Sequence, residues 1–230
     1  MTHPRSAEAA ETLVTTQLFN AAWRIGREQL RQQHATLQVL YDAARLAADS
    51  HPGAFPVQLD KFVPEDEPTI RQWWEEHLTT LGARDAYGSA IVFFIDGTLR
   101  AMLRFYRMIP DVPRKFKSGF NGVTTDRIFR YTGNNVRHFD EWVAPTHQIP
   151  HHKRAYAAVT AIAKVLGKPV PDKKHLSVMA TNCAWAVIAT ISERKFEKLI
   201  AFVREFMDEL LVNTGLESDP LVLAEIAREA

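Results

Sequence analysis

Apolar residues recur every three or four positions along most of the chain, and this spacing predicts amphipathic α-helices. Near the N-terminus Val14, Leu18 and Ile25 begin such a pattern, which indicates one long helix or two stacked helices. Gly82 is expected to end the helix that begins at Pro68. The sequence predicts helices over residues 7–49, 68–81, 125–143, 152–166 and 176–191, a helix that Ser192 caps and Gly215 ends, and a short helix after Asp219-Pro220.

The segment 83–109 fits two different structures. Asp96-Gly97 stands between two apolar runs, which is a turn signal for a β-hairpin near residues 90–106. The same segment also keeps helical spacing, with Phe94, Thr98 and Phe105 on one face. We favour the helix, because the surrounding elements are helical and two strands alone make a poor sheet.

The remaining segments are expected to be loops, namely residues 54–67 and 110–124, where prolines and glycines interrupt the pattern. No repeat or flexible linker divides the chain. The predicted fold class is therefore all-α, a single helical bundle of residues 1–230 with the hairpin at 90–106 as an alternative to one of its helices.

Composition narrows the classes of function only slightly. The formal net charge is +1 and the hydrophobic fraction is 46%, so nucleic-acid contact would require a local basic patch. Cys183 is the single cysteine, which rules out an intrachain disulfide and a multi-cysteine zinc site. The N-terminus lacks the apolar run of a signal peptide, and the longest apolar stretches are too short to span a bilayer. We therefore expect a cytoplasmic protein without a membrane segment.

The densest group of reactive side chains lies in the segment 134–142, within one predicted helix. Asn134, Asn135, His138 and Glu141 are expected to share a face, since residues three and four apart are neighbours on a helix. A histidine can act as a general base or acid near neutral pH, and an arginine can stabilise charge on a phosphate. Metal-independent RNA cleavage needs both roles. The alternative is a polar helix face near a dimer seam, with Trp142 as a packing anchor.

The run from Gly133 to Trp142 resembles the characteristic helix of HEPN-like proteins, which are small helical bundles of prokaryotic defence, toxin and nucleotide-binding systems. In that family an arginine precedes a histidine on one helix, often with an asparagine between them. The resemblance implies that His138 takes the place of the family histidine and Asn134 that of the polar position one turn before it. The family arginine would fall at residues 131–133, where this chain has none, so Arg130 or Arg137 would take its role.

The resemblance implies endoribonuclease activity across a homodimer interface, without a metal ion or other cofactor. A toxin or defence role and a partner antitoxin protein would accompany that activity. The candidate catalytic residues are His138, Arg137, Asn134, Arg130 and Glu141.

Basic residues before this helix provide a second candidate site. Several arginines fall on one face of the segment 83–109, and more cations follow in the next loop beside Phe116 and Phe120. Such residues predict a phosphate-binding patch, since aromatic rings offer stacking surface to bases. A solvated helix face and loop is the alternative. The candidate nucleic-acid-binding residues are Arg100, Arg104, Arg107, Arg114, Lys115 and Lys117.

A metal site is not predicted. His138, His147, His151 and His152 lie close together in the sequence, but they match no metal-binding signature, and exposed loop histidines are the simpler interpretation. Two hypotheses of function therefore stand beside each other: an HEPN-like protein that binds or cleaves RNA or nucleotides, and a non-catalytic helical module for dimerisation or protein interaction.

Overall fold

The structure is a computed structural model, and it describes residues 4–56, 63–138, 152–170 and 181–228. The candidate residues Glu141 and Trp142 and the histidines His147 and His151 lie outside the described residues. Of the helix predicted for residues 176–191, residues 176–180 also lie outside them, and the prediction is wrong for residues 181–183, which are not helical.

Eight α-helices account for most of the described residues, which confirms the all-α fold class. The first two helices are separated only at Gln33, so residues 7–49 form two stacked helices. A short 3-10 turn, Pro64–Asp66, precedes the longest helix. The helices are α1 Pro4–Gln32, α2 His34–Asp49, α3 Glu67–Tyr106, α4 Thr125–His138, α5 His152–Val165, α6 Ala184–Ile191, α7 Phe196–Val212 and α8 Pro220–Ala227.

Helix α3 runs through both glycines that the sequence analysis treated as breakers. The predicted end at Gly82 is wrong, and the hairpin alternative at residues 90–106 is also wrong, whereas the favoured helix is confirmed. Gly82 and Gly97 lie on the solvent side, with no other group close to where a Cβ would stand. Glycine inside a helix costs about 1 kcal/mol relative to alanine. Burial of the opposite face of α3, which includes Ile91, Ile95 and Leu99, outweighs that cost.

The only β-structure among the described residues lies where a loop was predicted. Strand β1, Gly119–Phe120, pairs antiparallel with β2, Val123–Thr124. The turn residues Asn121 and Gly122 both have positive φ, 48° and 74°. A two-residue type I′ hairpin requires positive φ at both central positions. The prediction of an irregular loop over 110–124 is therefore wrong for its last six residues.

Helix α3 lies at the centre of the bundle and packs against α1, α2, α4 and α6. The N-terminal helices also contact α7. The Trp23 indole N–H donates to the Met207 carbonyl oxygen at 3.0 Å, and Arg27 pairs with Asp208 at 3.0 Å. Tyr41 and Ser192 share a buried hydroxyl–hydroxyl hydrogen bond of 2.6 Å. These contacts join the two ends of the described chain into one hydrophobic core.

By length and composition alone, the helical stretch Pro64–Tyr106 is apolar enough to cross a membrane. However, 56% of its most apolar window is buried inside the fold, and the core helix of a globular protein meets the same criterion.

Candidate functional site

A basic groove lies between the C-terminal half of α3, helix α4 and the connector 107–124 that joins them. It consists of a wider cavity of about 840 Å³ and a narrower one of about 320 Å³. Arg107, Asp126 and Arg130 line both cavities, so the two are adjacent. The wider cavity is also lined by Arg114, Lys115, Phe116, Thr124 and Arg127, and the narrower one by Asp96, Leu99, Arg100, Leu103 and Arg104.

The described lining of this groove is strongly cationic. Seven basic side chains and two carboxylates, those of Asp96 and Asp126, face the two cavities. The sequence as a whole has a net charge of only +1, so the positive charge is concentrated here. A cleft lined by charge of one sign with low-dielectric walls focuses the electric field and attracts ions of the opposite sign.

Two helix faces create this concentration. Arg100 and Arg104 lie on α3, and Arg107 is its C-terminal capping residue, so the three keep the i, i+4 and i+7 spacing that the sequence predicted. From α4, Arg127 and Arg130 line the groove. The packing of α3 against α4 therefore brings arginines from both helices to one groove.

Asp96 lies at the inner end of the narrower cavity and connects the two helices. It is only 3% exposed. The Arg100 guanidinium donates from Nε to Oδ1 at 2.8 Å and places Nη2 2.8 Å from Oδ2. The pair is therefore bidentate, which is a strong geometry for a charged hydrogen bond. From α4, Arg137 places Nη2 3.9 Å from the same Oδ2. A Cβ on Gly133 would stand in ordinary van der Waals contact with that oxygen, at 3.4 Å, so this turn of α4 lies beside the carboxylate.

The second carboxylate, Asp126, is 7% exposed and lies at the first turn of α4. Its Oδ1 accepts a hydrogen bond of 2.6 Å from the Thr124 hydroxyl. Arg107 of α3 places Nη2 3.8 Å from Oδ2. The acidic side chain also suits the positive end of the helix dipole, so its position is explained by local structure as well as by the groove.

The connector is fixed at its middle by an acid from α7. The Glu209 carboxylate accepts the backbone N–H groups of Lys117 and Ser118, at 2.6 Å and 2.7 Å. Burial raises the pKa of Glu209, but the Ser118 hydroxyl, the two backbone N–H groups and the nearby Lys117 charge together hold that pKa below its usual value. This carboxylate therefore stays ionised and keeps the connector in place.

The basic residues predicted in the connector do not act alike. Arg114 donates to the carbonyl oxygens of Ile109 at 2.9 Å and Tyr106 at 3.3 Å. It therefore caps the end of α3 as well as lining the groove. The exposed Lys115 lines the wider cavity. Lys117 is exposed, but its side chain is not part of the described lining of either cavity.

The structure places two of the candidate catalytic residues, Arg130 and Arg137, at or beside the groove. Arg130 lines both cavities, and Arg137 contacts Asp96 beside the narrower one. Arg137 also donates from Nη1 to the Asn134 side-chain oxygen at 3.4 Å. His138 is exposed at the end of α4 and does not belong to the described lining of the groove. Glu141 lies outside the described residues.

The expectation that Asn135 shares the face of Asn134 and His138 is wrong. Asn135 is completely buried on the side of α4 that faces the start of α6. Its side-chain amide donates to the Thr181 carbonyl at 3.1 Å and its oxygen accepts the Cys183 N–H at 2.8 Å. Asn135 therefore anchors the start of α6 to α4. Cys183 is a core residue, and burial raises the pKa of its thiol.

The sequence did not point to four polar groove residues, Asp96, Thr124, Asp126 and Arg127, or to the apolar Leu99 and Leu103. The spacing of Asp96 and Arg100 at i, i+4 is a sequence signal for their ion pair. The position of Arg127 one turn before Arg130 could likewise have placed it beside the groove. Among the described residues, no three histidine, cysteine or acidic side chains come together in a way that could hold a metal ion.

Comparison of the chain with protein-family models, with curated proteins and with solved structures finds no match in any of the three. The resemblance of the α4 segment to HEPN-like proteins therefore stays a prediction from its residues.

Proposed function

We propose that this protein binds RNA through the phosphate backbone, in the basic groove between α3 and α4. The observation that carries the proposal is the convergence of seven cationic side chains on two adjacent cavities in a chain of almost neutral net charge. Neutralisation of phosphates by lysine and arginine supplies most of the affinity in sequence-independent nucleic-acid binding.

The length of the groove supports a polymer over a single small anion. Arg107 caps the C-terminal end of α3, seven residues after Arg100. At the rise per residue of an α-helix, this separation corresponds to about 10 Å along the helix axis. The connector extends the positive surface beyond Arg107, through Arg114 and Lys115. A row of cations of this length is suited to consecutive phosphates of one strand.

The walls of the groove also offer apolar surface beside the charge. Phe116 lines the wider cavity, and Leu99 and Leu103 line the narrower one. Apolar and aromatic walls can accommodate a ribose or a base while the arginines hold the phosphates. The similarity of the α4 segment to HEPN-like proteins is the reason for proposing RNA as the natural ligand.

Substitution of Arg104 provides the test. Arg104 is exposed on α3 and lines the narrower cavity, so alanine at this position removes a cation without disturbing the core. We expect Arg104→Ala to weaken binding of a labelled RNA oligonucleotide about fivefold, ~1 kcal/mol. The slope of log Kd against log salt should also fall by about one. Fluorescence anisotropy over a salt series measures both quantities.

Arg71 is the matched control, because it is exposed on the same helix and pairs with Glu67 away from the groove. Arg71→Ala should leave the affinity and the salt slope unchanged. Equal losses for the two variants, or no RNA binding by the unmodified protein at low salt, would contradict the proposed function.

A further inference from the structure

The environment of Asp96 is unusual for a groove that attracts anions. A carboxylate lies buried at its inner end, where its negative charge opposes the field of the arginines. Burial of an ionised carboxylate is costly unless it is paired and hydrogen-bonded. Replacement of a buried ion pair by apolar residues is often neutral or stabilising. Stability alone therefore gives no reason for an acid among the neighbouring Val92, Ile95 and Leu99.

The contacts of Asp96 suggest a different reason for its presence. Arg100 of α3 and Arg137 of α4 approach the same carboxylate from two helices. Their side chains remain 49% and 42% exposed, so each guanidinium still presents N–H groups to a ligand. A guanidinium carries five N–H donors, and the bidentate pair with Asp96 uses two of those on Arg100.

Arg137 is held on two further sides. Its guanidinium carbon lies 4.8 Å from the centre of the Phe93 ring, in a cation–π arrangement. The Asn134 side-chain oxygen accepts from Nη1 at 3.4 Å. A guanidinium fixed by a carboxylate, a ring and an amide has already lost the freedom that a flexible arginine loses when it binds.

We propose that Asp96 is a positioning residue that holds Arg100 and Arg137 as a paired clamp for the RNA backbone. The inference rests on the proposed function and specifies how one end of the groove achieves it. Asp96 itself does not contact the RNA. It orients two cations from different helices so that their outward N–H groups converge on phosphate oxygens.

Whether Asp96→Asn weakens or tightens RNA binding tests this role. If Asp96 merely reduced the positive field of the groove, Asp96→Asn would tighten RNA binding. As a positioning residue, its loss should instead weaken binding about fivefold and lower the salt slope by about one, despite the more positive groove. Asp111→Asn is the control, since Asp111 is exposed in the same connector as Arg114 and Lys115. That variant should bind RNA as tightly as the unmodified protein, or more tightly.

A second variant covers the case in which Asp96→Asn does not fold, which circular dichroism would reveal. Arg137→Lys keeps the charge on the surface of α4 but loses the planar fork that a carboxylate and a phosphate can share. The clamp predicts weaker RNA binding for this variant, whereas charge alone predicts no change.

The outcomes are distinguishable. Failure of the unmodified protein to bind RNA would overturn the proposed function and this inference together. If the unmodified protein binds RNA, then unchanged or tighter binding by Asp96→Asn overturns the positioning role and leaves the proposed function standing. If Asp96→Asn is unfolded, unchanged RNA binding by Arg137→Lys overturns the positioning role and leaves the proposed function standing.

Discussion

Consecutive residues on α4 have very different surroundings. Asn134 is partly exposed and accepts from Arg137, whereas Asn135 is buried and fastens α4 to the start of α6. Each step along a helix turns the side chain by about 100°, so one position separates the groove from the core. His138 follows Arg137 by one such step and is exposed.

The catalytic prediction depends on His138 and is tested at that residue. If His138 is the base or acid of a metal-independent ribonuclease, the unmodified protein should cleave RNA in the presence of EDTA. His138→Ala should remove this activity and leave RNA binding in the groove unchanged. Gel electrophoresis of labelled RNA measures the cleavage. Absence of cleavage, or equal cleavage by both proteins, would rule out catalysis by His138.

Single residues were predicted with uneven success, for a physical reason. The arginine row at the end of α3 followed from helical spacing, which is a local property of the sequence. The role of Asn135 depends on Thr181 and Cys183, more than 40 residues further along the chain. No local pattern indicates a partner at that distance.

Two similar dipeptides illustrate the limits of prediction for whole elements. Asp96-Gly97 signals a hairpin but lies within α3, and Asn121-Gly122 forms the hairpin that was missed. Around Asp96 the apolar positions keep helical spacing, and burial in the bundle decides in favour of the helix. Phe120 and Val123 flank Asn121-Gly122 without a competing helical pattern, so the turn determines the structure. Both dipeptides therefore carry the turn signal in the sequence, and burial in the folded bundle decides which of them forms a turn.

The position of the connector between α3 and α4 depends on the Glu209 carboxylate, which leads to a prediction for this element. Because the pKa of Glu209 is lowered in the folded protein, its contribution to stability is fully present above the ordinary carboxyl pKa of about 4.3. That contribution is lost as the pH falls through the lower folded-state pKa. Glu209→Gln should therefore reduce Tm at pH 7 by a few degrees, for a loss of ~1 kcal/mol. The difference from the unmodified protein should shrink in strong acid.

Thermal unfolding followed by circular dichroism, at neutral pH and at a pH below the carboxyl range, measures this difference. Glu205→Gln is the control, because Glu205 is exposed on the same helix. A Tm difference between Glu209→Gln and the unmodified protein that persists undiminished in acid would show that the ionised carboxylate is not what holds the connector.

At the scale of the whole molecule, the groove exists only because α3 packs against α4. Arg100 and Arg130 are thirty positions apart in the sequence, yet both line the narrower cavity. The near-neutral net charge conceals this concentration, since most acidic residues lie elsewhere. The composition could therefore indicate that any basic site must be local, but it could not place that site.

The oligomeric state of the protein is also a prediction at the scale of the whole molecule. The resemblance of α4 to HEPN-like proteins implies a homodimer with an active site across the interface. We expect light scattering during size-exclusion chromatography to give twice the mass of the 26.1 kDa chain. A monomer at all concentrations tested would contradict an active site shared between two chains. It would not contradict RNA binding, because the groove lies within one chain.

The contact between Trp23 and Met207 has a consequence for synthesis on the ribosome. These residues are 184 positions apart, so α1 cannot complete its packing until α7 has been made. At about 5–20 residues per second, the delay is on the order of ten seconds or more. During this interval the Trp23 indole N–H lacks the Met207 carbonyl oxygen that accepts it in the finished fold. Translation products that stop before α7 would leave the part of α1 that contacts α7 uncovered, which is a feature that chaperones and proteases recognise.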